Sequence, residues 1–564
     1  MKHILQMLLR RMRLPLIALI LAYAVSVLGL VLIPGVDDQG NPWRMNFFHA
    51  FYFVSFMGST IGFGEIPYPF TDAQRLWTIV AMYTTVFVWL FSIGTLLAII
   101  QDPAFRRLLS YSLFTRHIRM MNEPFYLVCG YGDTGSLLVG ELSSRGIRTV
   151  VIDIDTERID ILKTEDLPGY VPGLCADAAE SDSLVAAGLT HPRCAGVIAL
   201  TDVDHTNLTI AITSKLLNPS LQVICRSESH DSEANMASFG TDYIINPFDE
   251  FAGRFAMMFR SPGMHLIYEW LTSMRDSPHK DFQSPPRGRW VVCGFGRFGK
   301  SIQEHLSYEA IQMTLIEADV EKTNAPNGTI EGRGTEAITL REAGIEDAAG
   351  IIAGTGDDAN NLSIVITARD LNPDLFTVAR QNNRSYNDIF QAAKINHIMQ
   401  PGTIISQKVL TVILTPMLTD FLRLARHEND EWANILISRM VGVLQEYPLE
   451  VWTLKVSTKA SPAISSLLAE GEEITISNLC TDPRNREECL ACIPLLLRRG
   501  NTEELLPTET QILHVGDSFL FCGTREAERH MKWTAWDHNA LTYICKGIDR
   551  PSGYVWSRLS RQRG

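Results

Sequence analysis

The short segment STIGFGE, from Ser59 to Glu65, combines residue types that can replace the water around a metal cation. Glycine alternates with apolar residues in it, and glycine adopts backbone conformations that other residues avoid, so successive carbonyl oxygens can point to one side. The Thr60 hydroxyl would add an oxygen ligand, while Ile61 and Phe63 would point away and pack against the preceding helix. Copies of such a loop around one axis would form rings of carbonyl oxygens. The alternative is a glycine-rich surface turn, so the flanking sequence has to decide.

Two long apolar runs flank this segment. Residues 14–36 and 76–101 contain no charged side chain over 23 and 26 residues, and about 20 residues cross a bilayer as a helix. Residues 46–57, between them, are apolar but too short to cross, which predicts a re-entrant helix. Non-helical backbone at membrane depth is tolerated where protein buries it or where it lines a wet cavity. The glycine segment is therefore predicted to face water or ions.

The basic residues predict how the chain is oriented in the membrane. Because basic residues favour the cytoplasmic side, both termini are predicted to be cytoplasmic, with the first run retained as an anchor in the plasma membrane. The net charge of −13 argues against nucleic acid as a partner. Before the first run lie Lys2, Arg10, Arg11 and Arg13, and after the second lie Arg106, Arg107, Arg116 and Arg119. Between the two runs lie Arg44 and Arg75.

The residues Thr60-Ile61-Gly62-Phe63-Gly64 resemble the selectivity filter of potassium channels with two transmembrane helices per chain. The resemblance implies conduction of K⁺. One filter loop per chain further implies a homotetramer around one pore in a lipid bilayer. The family usually has aspartate where this chain has Glu65. Glutamate keeps the negative charge at the filter mouth but adds a methylene, which leaves its effect on filter support open.

The second apolar run would line the inner pore. Gly94 is either a bending point or a small residue that lets helices pack closely, and the sequence does not separate the two. Leu97 would belong to a hydrophobic constriction that closes the pore by dewetting. Neither run carries arginine at every third position, which argues against voltage sensing.

The remainder of the chain contains an internal repeat. FYLVCGYGDTGSLL, which begins at Phe125, recurs as RWVVCGFGRFGKSI, which begins at Arg289, at an offset of 164 residues. A later segment recurs at an offset of 154, so the second copy is ten residues shorter in its middle (164 − 154). Two copies of one domain are therefore expected.

Each copy has the pattern strand, GxGxxG turn, helix, strand and acidic residue. The acid follows the first glycine by 23 residues in both copies (153 − 130 and 317 − 294), close to the roughly 20 of a dinucleotide-binding fingerprint. Such glycines let a phosphate approach the helix N-terminus, and the acid accepts hydrogen bonds from ribose hydroxyls. The alternative is that the turn serves helix–sheet packing alone. The candidate nucleotide-binding residues are Gly130, Gly132, Gly135 and Asp153, and Gly294, Phe295, Gly296, Arg297, Gly299 and Glu317.

The two copies differ in charge. Arg297 and Arg333 stand where the first copy has Asp133 and Asp177, and arginines near a phosphate-binding turn favour an anionic ligand such as NAD or ADP. The first copy is instead rich in acids near strand ends, which predicts a Ca²⁺ site or simply solvated loop residues. The candidate metal ligands are Asp155, Asp177, Asp202 and Asp204.

Paired domains of this kind beside a two-helix pore resemble the regulator-of-K⁺-conductance (RCK) modules of ligand-gated, prokaryotic potassium channels. The resemblance implies a ring of eight domains below the pore, two from each chain. The implied fold class is an α-helical pore domain with a re-entrant pore helix, fused to two tandem α/β Rossmann-like RCK domains and a small α+β lobe. The expected ranges are 1–101 for the pore, 102–124 for a linker, 125–285 and 286–430 for the RCK domains with their crossover helices, and 431–564 for the β-rich lobe.

Two other functions fit parts of the sequence. A membrane-anchored NAD-dependent oxidoreductase would need a placed acid or base, and the histidines have no supporting constellation, so we expect no enzyme. The regulatory subunit of a separate potassium transporter also carries RCK-like domains but lacks spans and a filter. Cys480, Cys489 and Cys492 are interpreted as reduced thiols, with a metal or redox site as the alternative.

Overall fold

The computed structural model describes residues 2–62, 64–273, 283–444 and 449–548. The chain divides into two compact units, Met1–Met121 and Asn122–Gly564. The elements of the first unit are α1 (Lys2–Leu32), β1 (Gly35–Val36), β2 (Pro42–Trp43), α2 (Phe47–Gly58), α3 (Asp72–Gln101) and α4 (Pro103–Arg119).

Two helices in the described part of the chain are long and apolar enough to cross a membrane, over Arg10–Leu32 and Asp72–Gln101. The first ends before the predicted residue 36 because Pro34 disfavours helical backbone at the residue before it. The second begins before residue 76 because Thr71 and Gln74 form a capping box at its N-terminus.

Helix α2 is the predicted short helix between the spans. Asn46 caps it by accepting a 2.8 Å hydrogen bond from the His49 N–H. Its 12 residues extend about 18 Å, well short of a bilayer. Ala50, Phe53 and Val54 are buried in one apolar cluster with residues of α1 and α3, so α2 is held between the two long helices.

The first copy of the repeat forms a six-stranded parallel sheet in the order β5-β4-β3-β6-β7-β8, the arrangement of doubly wound dinucleotide-binding folds. Its elements are β3 (Phe125–Cys129), α5 (Asp133–Ser144), β4 (Arg148–Asp153), α6 (Thr156–Thr164), β5 (Gly173–Cys175), α7 (Ser181–Ala186), β6 (Cys194–Ala199), α8 (Asp204–Leu217), β7 (Gln222–Arg226), α9 (His230–Ser238) and β8 (Tyr243–Ile245). Two helices follow, α10 (Pro247–Arg260) and α11 (Pro262–Thr272).

The second copy repeats this topology in the order β11-β10-β9-β12-β13-β14. Its elements are β9 (Arg289–Cys293), α12 (Arg297–Tyr308), β10 (Gln312–Glu317), α13 (Val320–Thr323), β11 (Ile330–Glu331), α14 (Ala337–Glu342), β12 (Gly350–Ala353), α15 (Asp358–Leu371), β13 (Phe376–Arg380), α16 (Asn387–Ala392) and β14 (His397–Met399), with 3-10 turns at Ile345–Asp347 and Arg384–Tyr386. The helices α17 (Pro401–Leu414), α18 (Pro416–Ala425) and α19 (Asp430–Leu444) follow.

The two copies exchange helices. Helix α10 follows the first sheet but packs on α12 of the second, and α17 follows the second sheet but packs on α5 of the first. Phe251 and Phe298 meet at a ring-centroid distance of 5.6 Å in the first of these contacts. In the second, the Ser406 hydroxyl donates to the Thr134 carbonyl at 3.3 Å. The two sheets therefore form one interlocked body.

The last part of the described chain is a small α+β lobe. Its antiparallel sheet has the order β15-β20-β18-β19, and β16 pairs with β17 in a separate hairpin. The elements are β15 (Glu450–Lys455), α20 (Pro462–Ala469), α21 (Ile476–Leu479), β16 (Thr481–Asp482), β17 (Asn485–Cys489), β18 (Cys492–Arg499), β19 (Thr502–Leu505), β20 (Ser518–Gly523), α22 (Arg525–Trp536) and α23 (His538–Lys546).

Candidate functional sites

In the loop after α2, every second residue from Thr60 to Gly64 has a left-handed backbone conformation. Thr60, Gly62 and Gly64 have φ angles of 62°, 68° and 97°, a region that is costly for threonine and open to glycine. The Ile61 N–H, between them, donates to the Phe56 carbonyl at 2.9 Å, which anchors the loop to α2. This alternation is the geometry expected of a carbonyl-lined pathway.

Two apolar side chains were predicted to pack against α2. The Ile61 side chain is 60% exposed in the single chain, and its packing against α2 stays a prediction. Phe63 lies outside the described residues.

The residue after the filter segment is held by two donors. One carboxylate oxygen of Glu65 accepts from Arg75 Nε at 2.8 Å, and the other accepts from the Phe70 N–H at 2.8 Å. The Glu65 carboxylate thus contacts the backbone before α3 and Arg75 in the first turn of α3. The negative charge predicted at the filter mouth is therefore paired with a positive one.

The candidate gate residues lie on the second half of α3, which runs unbroken from Asp72 to Gln101. A Cβ atom at Gly94 would meet nothing within 4 Å in the described chain, so close helix packing does not explain this glycine within one subunit. Leu97 is half-exposed. The hinge and the constriction stay predictions.

The two GxGxxG turns have the same construction. The first glycines, Gly130 and Gly294, have φ angles of 103° and 96°. A Cβ atom on Gly135 would lie 2.0 Å from the Gly130 carbonyl oxygen, and one on Gly299 would lie 2.1 Å from that of Gly294. Helix and strand can approach this closely only with glycine at the third position, so these two glycines have a packing reason of their own.

The acids at the ends of β4 and β10 reach back to the turns. Asp153 accepts a 2.5 Å hydrogen bond from the Tyr131 N–H, and Glu317 accepts an equivalent 2.5 Å bond from the Phe295 N–H. Asp153 is buried. The structure therefore brings together the glycines and the acid of each copy, as the spacing predicted.

The first turn has a basic neighbour that the sequence pattern did not single out. The Arg158 Nη1 atom lies 3.5 Å from Asp153 and would lie 3.3 Å from a Cβ atom on Gly132. The guanidinium group therefore lies beside the turn. Its position in the first turn of α6, soon after the strand-end acid, was the available signal.

In the second copy the two candidate arginines differ. Arg297, the first residue of α12, forms a 2.7 Å ion pair with Glu228 of the first copy. Arg333 is exposed. The Glu228 side chain is 8% exposed and is also bound by Arg226, so the turn of one copy is tied to the loop after β7 of the other.

Comparisons with known proteins agree with this arrangement. The ion channel family model matches residues 16–102, and the TrkA-N domain model matches residues 126–247 and 290–401. The chain belongs to the ion channels that carry paired TrkA-N domains. Its family and its two apolar helices make it a membrane protein.

Two curated relatives and one solved structure illustrate the similarity. The channel is 24% identical over 238 residues to potassium channel protein 1 of Methanocaldococcus jannaschii, covering 42% of this chain and 67% of that protein. It is 30% identical over 162 residues to the Trk system potassium uptake protein TrkA homolog of Methanothermobacter thermautotrophicus, covering 27% of this chain and 73% of that protein. The GsuK channel structure shares the fold at 17% identity and a TM-score of 0.50, over 94% of this chain and 99% of that one.

These comparisons bear on the two alternative functions. The ion-channel match lies at residues 16–102, which a regulatory subunit without spans would not carry. Neither curated relative named above is an oxidoreductase. The recognition of a channel with paired regulatory domains is confirmed, whereas the exact domain boundaries stay predictions.

The acids proposed as Ca²⁺ ligands in the first TrkA-N domain serve local structure. Asp155 and Asp177 accept hydrogen bonds from N–H groups two residues further along the chain. Asp202 pairs with Arg226 at 2.7 Å, and Asp204 accepts from the Ser229 hydroxyl at 3.0 Å.

These four acids do not form a cluster of metal ligands. Within the part of the chain that the structure describes, one group of three or more potential ligands has its atoms within 4.8 Å of one another, and it consists of His230, Glu233 and Asp249. The predicted Ca²⁺ site therefore stays a prediction without geometric support.

Proposed function

We propose that the chain is the subunit of a potassium-selective channel whose opening is controlled by a cytoplasmic nucleotide. The observation that carries the pore half is the alternating left-handed backbone at Thr60, Gly62 and Gly64, directly after a short helix held between two membrane-length helices. Rings of carbonyl oxygens from such loops would replace the hydration shell of K⁺. The names of the relatives, a potassium channel protein and a potassium uptake protein, support the choice of ion.

One loop per chain supports a homotetramer, because a carbonyl ring requires symmetry. Four chains would contribute eight TrkA-N domains to a ring on the cytoplasmic side, with both termini of each chain on that side. The half-exposed Leu97 of each subunit would then face its counterparts across the inner pore, where four leucines could close it by dewetting.

The nucleotide half rests on the two glycine turns. In each turn the strand-end acid already accepts from a turn N–H, and a ribose hydroxyl would donate to the remaining lone pairs of the same carboxylate. Arg158 lies beside the first turn, and Arg297 is the first residue of the helix after the second. NAD or ADP, each with a ribose and a pyrophosphate, fits this set of groups. We expect Ca²⁺ to act, if it does, at a site other than the four acids above.

Several sites per channel make the required energy attainable. A ligand opens or closes a pore only through its difference in affinity between the two states. Moving a population from 1:99 to 99:1 takes about 5.5 kcal/mol. Four sites that each prefer one state tenfold, about 1.4 kcal/mol per site, supply that amount.

The test is a planar-bilayer recording of purified protein under a potassium gradient, with NAD and ADP added to one side in turn. We expect a change in open probability that is weakened in the Arg297→Ala, Arg333→Ala variant, which leaves the first turn intact, while single-channel conductance is unchanged. Arg341→Ala is the matched control, because this exposed arginine pairs with Glu346 within its own domain. An unchanged nucleotide response in the double variant would contradict the placement of the ligand at the second turn.

A further inference from the structure

Three cysteines lie close together along the chain in the C-terminal lobe, and the proposed function uses none of them. The Cys492 thiol donates to the Cys480 sulfur across a distance of 3.8 Å. Cys480 is buried and Cys492 is half-buried, whereas Cys489 is exposed. The structure therefore selects one pair from the three.

The backbone holds this pair in place. The Leu490 N–H donates to the Cys480 carbonyl at 2.6 Å, and the Cys492 N–H donates to the Leu490 carbonyl at 2.8 Å. Cys480 directly follows α21, and Cys492 begins β18, and both cysteines pack in one apolar cluster. These bonds fix the backbone of both cysteines relative to each other.

We propose that Cys480 and Cys492 form a redox-responsive dithiol that closes to an intramolecular disulfide in the presence of a low-molecular-weight disulfide. In the first step one thiolate attacks a sulfur of the reagent, forming a mixed disulfide and releasing one reagent thiolate. In the second step the other cysteine attacks the protein sulfur of the mixed disulfide and releases the second reagent thiolate. The two cysteines lose two electrons and two protons, and the reagent is reduced to two thiols.

The surroundings make this a slow, reversible switch rather than a permanent crosslink. The hydrogen bond with Cys480, together with burial, raises the pKa of the Cys492 thiol well above its usual range. Thiolate is therefore scarce at neutral pH, and closure should accelerate as the pH rises. A cytoplasmic lobe would hold the pair reduced under ordinary conditions. Closure would fasten both ends of the β16–β17 hairpin segment to each other.

A metal site at the same place finds less support. Among the residues with described positions, no group of three ligands within 4.8 Å contains any of these cysteines. The observations favour a pair of thiols over a thiolate-bound ion, and the proposal does not depend on the channel's ion selectivity or on its nucleotide.

The test uses the full-length protein in detergent, incubated with oxidised glutathione at pH 8, alkylated and mapped by mass spectrometry. We expect a crosslinked peptide joining residues 480 and 492, the loss of alkylation at both of these cysteines, and its full recovery with dithiothreitol. The Cys480→Ser and Cys492→Ser variants should lack the crosslink, and Cys489→Ser should retain it.

Two results would overturn the proposal. One is a crosslink, in the protein without substitutions, that includes Cys489 in place of Cys480 or Cys492. The other is glutathione attached to the exposed Cys489 with both other thiols still free, because it would show that the reagent was active and the pair did not close. Both results are read from the protein without substitutions, so misfolding of a serine variant does not affect them.

Discussion

Replacing Glu228 by glutamine should strengthen nucleotide binding at the second turn. Arg297, the proposed phosphate ligand, is held by Glu228 of the first TrkA-N domain through a 2.7 Å ion pair. A phosphate group and Glu228 would compete for the same guanidinium group. Glutamine has nearly the same shape but no charge, so Glu228→Gln releases Arg297 with little change in packing.

The size of the effect follows from exposure. Two unit charges 4 Å apart attract by about 4 kcal/mol at an effective dielectric constant of 20. The Arg297 side chain is 57% exposed, and ion pairs with this degree of solvent access contribute about 1 kcal/mol or less. Since 1.4 kcal/mol is a factor of ten, we expect nucleotide to bind up to about fivefold more tightly.

A cost in stability should accompany the gain in affinity. Glu228 also binds Arg226, and its charge favours the protonated form of Arg380, whose pKa is lowered mainly by burial. Loss of the carboxylate leaves these guanidinium groups close together, and an unsatisfied buried partner costs about 1–3 kcal/mol. Thermal unfolding of the variant should therefore begin at a lower temperature.

The assay is isothermal titration of purified channel with NAD and with ADP. Asp202→Asn is the matched control, because Asp202 is the other acidic partner of Arg226 and has no ion pair with Arg297 among the described contacts. We expect the Asp202→Asn variant to bind nucleotide with an affinity within about 1.5-fold of that of the original protein. The reason is that exposed ion pairs contribute little energy. Unchanged or weaker binding in a folded Glu228→Gln variant would refute the idea that Arg297 serves both partners.

Three further predictions concern the filter, the pH response and the glycine turn. Arg75→Ala removes the ion pair of Glu65, so open bursts should shorten roughly fivefold, for about 1 kcal/mol of lost support, as measured in bilayer recordings. His265 is buried and its pKa is lowered to about 4 by burial. The unfolded state therefore binds more protons than the folded state between pH 6.5 and 4. The free energy of unfolding should fall by up to about 3 kcal/mol on acidification through that window. His265→Gln should remove this pH dependence from thermal unfolding curves. Gly299→Ala would place a Cβ atom 2.1 Å from a carbonyl oxygen and should cost at least about 1–3 kcal/mol, whereas Gly296→Ala, which meets nothing within 4 Å, should unfold like the original protein.

The membrane elements were predictable because their signals are local. Uncharged runs of more than 20 residues indicated both spans, and only their ends were misplaced, by Pro34 and by the Thr71 capping box. The internal repeat predicted two sheets of one topology, and five of its ten missing residues (9 − 4) are reflected in a helix α13 of 4 residues where α6 has 9. The confirmed fold class rests on these features.

The contacts between the copies could not be predicted from one sequence. An apolar helix face indicates that α10 must be buried, but it does not indicate that the partner is α12 of the other copy. The Arg297–Glu228 ion pair joins residues 69 positions apart (297 − 228), and no spacing rule links them. Asp204 resembled a metal ligand because acids at strand ends often are, yet here a nearby hydroxyl and the Glu228 N–H donate to it.

The most direct test of the central claim is the reversal potential of the reconstituted channel with potassium on one side and sodium on the other. If carbonyl rings at Thr60–Gly64 replace the hydration shell of K⁺, the reversal potential should follow the potassium gradient by about 59 mV per tenfold change in concentration, with little response to sodium. Equal displacement by the two ions would contradict the filter assigned to this loop.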